Sequence, residues 1–96
     1  MSVAEVWVAK DDGSDIVRVA AIAAVGRDYS GNVTVRLSGG DQALVTLLAH
    51  HGPPTPSDFH LQLLQMIAQV SARAQSAIIR PVHDEIRGWQ WEAGPL

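Results

Sequence analysis

Ninety-six residues give room for one domain with a modest hydrophobic core, so residues 1–96 are read as a single unit. With 47% hydrophobic and 18% charged residues the composition is globular, and the absence of cysteine excludes a disulfide scaffold, a thiolate zinc site and a cysteine nucleophile. Seven basic residues against ten acidic ones, a net charge of -3, argue against a surface built on phosphate contacts.

The start Met1-Ser2-Val3-Ala4-Glu5 lacks the basic head and apolar stretch of a secretory signal, and no apolar run approaches the ~18 residues of a membrane span. A small cytoplasmic domain with no membrane partner is therefore expected. Val3 to Ala9 alternates as a strand, Val6 and Val8 on one side and Glu5 and Trp7 on the other. Asp11-Asp12-Gly13-Ser14 is a turn signal, because Asp and Ser side chains bond the local backbone and Gly accepts positive φ. From Ile16 to Val25 the alanines favour helix, whereas Ile16, Val17, Val19, Ile22 and Val25 are β-branched and favour strand. Strand is the reading adopted, with a kink near Ala20-Ala21 that splits it in two.

Tyr29-Ser30-Gly31-Asn32 marks the next turn, and Val33, Val35 and Leu37 then alternate with Thr34, Arg36 and Ser38. Gly39-Gly40 signals a tight hairpin turn. The return strand, Ala43 to Ala49, is expected to turn Val45 and Leu47 inward and Leu44 and Leu48 outward. After His51-Gly52-Pro53-Pro54 comes a helix start: Thr55 as N-cap, Pro56 at N1 and Asp58 in the first turn. The helix should run to about Ser76, with Phe59, Leu63, Met66, Ile67, Val70 and Ala74 on the core face. Leu61, Leu64, Ala68 and Ala72 form a second, flatter apolar side. Ala77 to His83 reads as a strand that Pro81 places at a sheet edge. Beyond it Trp89 and Trp91 share a face if the tail is extended.

The expected fold is α+β: an antiparallel β-meander of three to five strands (residues 1–50), covered by one long amphipathic helix (55–76). A C-terminal edge strand or extended Trp-bearing tail completes it (77–96). The hairpin strands from Ile22 to Gly40 and the helix after them resemble the layout of small bacterial β-meander-plus-helix flagellar regulators. The resemblance covers about half the chain and implies no function.

Catalytic templates fail in turn: no Gly-Lys-Ser/Thr phosphate loop, no Gly-x-Ser-x-Gly elbow, and only a sequence-adjacent His83-Asp84 pair. Whether the chain is an enzyme is left open, with the failed templates weighing against it, and no cofactor is expected. His50, His51 and His83 are the metal candidates, without a ligand spacing that would set them on one face; His60 reads as a hydrogen-bonded structural histidine. Arg18, Arg27 and Arg36 are the nucleic-acid candidates. The leading expectation is a protein-interaction domain, a homodimer or the small partner of a larger assembly. Its interface candidates are Trp7, Leu44, Leu48, Leu61, Leu64, Ala68, Ala72, Trp89 and Trp91, which together exceed the apolar surface one small core hides.

Overall fold

The computed structural model describes residues 5–39, 43–49, 54–73 and 75–96. In chain order these form β1 (Val6–Ala9), β2 (Ile16–Arg18), a single 3-10 turn (Val19–Ala21), β3 (Ile22–Arg27), β4 (Val33–Leu37) and β5 (Leu44–Leu48). Helix α1 (Phe59–Ala72), β6 (Ala77–Asp84) and β7 (Gly88–Pro95) follow. The fold is α+β, and the segment from 16 to 27 is two strands separated by the kink expected at Ala20-Ala21. That kink sends the chain from one sheet to another. The first sheet has order β2-β1-β6-β7, with β1 and β6 parallel and the other pairs antiparallel; the second is the meander β3-β4-β5. The strands of the first half therefore divide between two sheets rather than making one meander.

Two turns follow the side-chain logic of the sequence. Asp12 Oδ1 accepts from the Ser14 backbone N–H and hydroxyl at 2.9 and 2.6 Å, with Gly13 at φ 77°. Asp28 Oδ1 likewise accepts from the Ser30 and Asn32 N–H groups at 3.0 and 2.9 Å. These hydrogen bonds hold both carboxyls below their ordinary values, Ser14 being the main cause for Asp12 and Asn32 for Asp28. At the β4–β5 connection the Leu37 N–H donates to the Ala43 carbonyl at 2.8 Å; Gly40 of the expected Gly-Gly turn lies outside the described residues.

In β5 the alternation expected of Leu44 to Leu48 is broken. The register pairs Val33 with Leu48 but Thr34 with Thr46, so Leu47 is the extra residue of a β-bulge. Both Leu47 and Leu48 consequently face the core, Leu48 being only 1% exposed, and Leu48 is withdrawn from the outward-facing set.

The core joins both sheets and the helix: Val6, Val8, Val17 and Ile79 from the first, Val33, Val35, Leu47 and Leu48 from the second, Phe59, Leu63 and Val70 from α1. β6 is an inner strand, contrary to the edge position expected from Pro81. The proline is nonetheless tolerated, because β1 pairs only with Ala77 to Ile79 and Pro81 lies beyond the end of that ladder.

Candidate functional site

The interface candidates sort into three environments, and α1 is the element that separates them. The helix begins at Phe59, three residues later than the Thr55 cap implies. Thr55 is buried and spent elsewhere: its Oγ1 donates to the Gly31 carbonyl at 3.0 Å and accepts from Arg27 Nε at 3.0 Å. Arg27 Nη2 adds a bond of 2.9 Å to the Thr55 carbonyl, so the arginine ties β3 to the segment leading into α1. Asp58 takes the N-cap position without a side-chain cap bond, and its Oδ1 accepts instead from Gln62 Nε2 at 2.9 Å. The helix ends at Ala72, short of the expected Ser76, which instead anchors the start of β6: the Ser76 hydroxyl accepts from the Glu5 N–H and the Ala77 N–H donates to the Glu5 carbonyl.

One side of the helix is fixed by the C-terminal hairpin. Trp91 stacks on Phe59 with ring centroids 4.6 Å apart and 17° between planes, and Trp91 Nε1 donates to the Phe59 carbonyl at 2.8 Å. At 6% exposed, Trp91 is a core residue and not a free anchor. The expectation of an interface role for it is corrected: β7 folds back over the helix and uses the indole internally. Trp89 lies on the same face, half-buried at the margin of the core, and meets His83 edge-to-face at 5.2 Å. The hairpin that achieves this turns on Asp84, whose Oδ1 accepts from the Ile86 and Arg87 N–H groups at 2.7 and 3.2 Å, and on Gly88 at φ 77°. The sequence Asp84-Glu85-Ile86-Arg87-Gly88 carries this signal, an Asx-type acceptor before a left-handed glycine, and the sequence reading missed it.

The second environment is the outward faces of the sheets. Trp7 is half-buried, with the Arg18 guanidinium 5.2 Å from its ring centroid; Arg18 also pairs with Glu5 at 3.4 Å. Leu44 is 63% exposed, opposite Arg36 in the β4–β5 register. The three arginine candidates do not converge. Arg27 pairs with core-facing Val33, whereas Arg36 sits three residues along β4 on the opposite face, and Arg18 belongs to the other sheet.

The third environment is the outer side of α1. Leu61 and Leu64 are 50% and 48% exposed, and Ala68 and Ala72 are exposed below them on the same line. From Phe59 to Ala72 the helix holds no Asp, Glu, Lys or Arg, so its solvent side consists of these four residues with Gln65, Gln69 and Ser71. A solvent-facing helix side ordinarily carries charge. The remaining large exposed apolar side chains among the described residues, Ile16, Tyr29, Leu44, Ile86 and Leu96, lie apart on strands, turns or the terminus.

Two clefts border the helix. One of about 220 Å³ lies between its C-terminal end and β7, with Arg73, Gln75 and Ser76 at its rim; one of about 370 Å³ runs beside Asp58, Gln62, Gln65 and Gln69. Neither brings a nucleophile beside a base among the described residues. His50 and His51 lie outside the described residues, and His83 is exposed; no group of three or more His, Asp or Glu suited to a metal occurs among the described residues. His60 differs from its expected hydrogen-bonded state, since its Nδ1 is buried without a partner. No described helix is long and apolar enough to cross a membrane. No protein-family model, curated protein or solved structure matches the chain.

Proposed function

We propose that the chain is a small non-enzymatic protein-interaction domain, working as a homodimer or as a subunit of a larger assembly, and that it docks through the outer side of α1. The observation that carries this reading is the uncharged solvent side of the helix, with Leu61 and Leu64 half exposed on one line. Leaving such a line in water forgoes apolar burial, whereas covering it requires no ion to be desolvated. Trp7 and Trp89 are already half-covered by their own chain, and Leu44 is the one large exposed apolar side chain on β3, β4 and β5 among the described residues, so none of these offers a comparable line. The test is a photo-crosslinking amino acid placed at Leu64 in cells that express the protein, with Ile86, 94% exposed in a turn, as control. A discrete protein adduct from position 64 and none from 86 is the expected result. No adduct from 64 overturns the reading.

A further inference from the structure

We infer that the outer edge of β7 takes an extended segment of a partner protein as an added strand, antiparallel to β7, with alternate side chains seated in the groove between β7 and α1. This is a second docking site, independent of the outer side of α1.

The backbone shows which groups are on offer. The Ala77 N–H donates to the Glu5 carbonyl, so Ala77, and by alternation Ile79 and Pro81, turn their peptide groups toward the β1 side. The even-numbered residues of β6 therefore bond β7, through Gly94, Glu92, Gln90 and Gly88. Trp91 and Ala93 turn their N–H and C=O groups away from β6, where no described strand follows β7. Edges are kept from pairing by shortness, bulges, charge or proline. β2 has three residues, and β3 and β5 each pair with a register shift. β7 runs eight residues in unbroken register, with Glu92 its one charge and proline only at its end. Among the described strands it is the edge open to an added strand.

The groove indicates what that strand carries. Trp91 is the one strand residue lining the larger cleft, so this cleft lies beyond β7 and not over β6. The smaller cleft continues it along Ala93, Gly94 and Pro95. Uncharged Gln62, Gln65, Met66 and Gln69 line the middle, with Asp58 at one end and Arg73 at the other. Asp58 bonds the neutral Gln62 amide, and neither it nor Arg73 is in an ion pair among the described residues. Their separation along the helix is about 22 Å, which extended chain covers in about six residues. Six is even, so an acid and a base at that spacing both face the groove. In an antiparallel strand, the more stable pairing, the acid comes first, at the Arg73 end, and two uncharged polar side chains between them meet the glutamines. A second β7 would not fill the groove, because Trp89 and Trp91 are already packed on His83 and Phe59 of their own chain.

The probe is the capped nonapeptide Thr-Asp-Val-Asn-Val-Thr-Val-Lys-Thr, titrated to about 1 mM into the isotopically labelled full chain. Saturable amide shifts at Trp91, Ala93 and residues 62–73, with β2 unmoved, are expected. Exchanging the peptide's Asp and Lys should weaken binding about three-fold or more, and the double variant Asp58→Lys, Arg73→Glu should prefer the exchanged peptide. N-methylation of the peptide's Asn and central Thr should abolish binding, because residues with side chains in the groove are those whose N–H groups bond β7. N-methylation of its first and last Val should leave binding intact. No shift at the highest concentration, equal affinity for the two peptides, or indifference to which residues are methylated overturns the inference. Shifts at Trp91 and Ala93 on concentrating the chain without peptide name a second copy as the occupant and overturn it as well.

Discussion

Truncating Trp91 to alanine is the sharpest perturbation of the packing described. The indole is buried, stacks on Phe59 and donates a 2.8 Å hydrogen bond to the Phe59 carbonyl, so its loss removes burial, stacking and a tie between β7 and the first turn of α1. Large-to-small changes of a buried aromatic cost about 3–5 kcal/mol. A 96-residue domain holds roughly 5–14 kcal/mol in all, so Trp91→Ala should consume a large part of it. With a urea slope of about 1 kcal/mol/M, the midpoint should fall by about 3–5 M. Trp91→Phe keeps the stack and loses the hydrogen bond and some volume, for a cost of about 1–2 kcal/mol. The half-buried Trp89 gives the control, since Trp89→Ala should cost less than Trp91→Ala. The assay is urea unfolding followed by far-ultraviolet circular dichroism. A Trp91→Ala midpoint within 1 M of wild type would refute the assignment of this indole to the chain's own core.

Three further outcomes follow from single sites. Arg27→Ala should destabilise by about 1–3 kcal/mol in the same assay, because it leaves the buried Thr55 hydroxyl and carbonyl without their donor; a change below 0.5 kcal/mol speaks against the tie. His60→Phe should raise stability by up to about 1 kcal/mol, since it removes a buried nitrogen that has no hydrogen-bond partner; a loss above 1 kcal/mol contradicts this. Asp12, Asp28 and Asp84 are held below their ordinary value of 3.8 by hydrogen bonds: Asp12 from the Ser14 side chain and backbone, Asp28 from the Asn32 side chain and backbone, and Asp84 from the Ile86 and Arg87 backbone. On acidification the unfolded chain therefore takes up protons first. Their contribution is complete above about pH 4 and is lost as the pH falls through the lower folded values. Thermal melts from pH 6 to pH 2 should show Tm falling only below about pH 4, with a shallower fall in Asp28→Asn; a flat Tm down to pH 2 is the contrary result.

Local chemistry was legible in the sequence where a residue answers to its neighbours. The turns at Asp12 and Asp28, the alternation of β4 and the core arc of α1 from Phe59 to Val70 need only short-range patterning; Ala74, the last member expected of that arc, lies outside the described residues. Long-range choices were not legible. Nothing near Val33 foretells that Leu47 bulges, because the bulge is a property of the β4–β5 pairing, and one extra residue reverses the facing of Leu48. Thr55 reads as a helix cap until Arg27, 28 positions earlier, takes up its hydroxyl and carbonyl. Trp91 reads as an interface candidate because the sequence leaves open whether its tail has a path back onto its own chain. The Asp84–Gly88 turn supplies that path and delivers the indole onto Phe59. The outer line of α1 needed only helical spacing, and the structure leaves its four residues uncovered within the chain.

Amide chemical shifts of the isotopically labelled protein, compared between about 50 μM and 1 mM, test the homodimeric form of docking through α1 most directly. Shifts confined to residues 58–73 and their immediate neighbours are the result expected of a helix-mediated dimer. Shifts centred on Trp7 and β2, or on Leu44 and β5, would place association on a sheet face and contradict it, as would a spectrum that does not change with concentration.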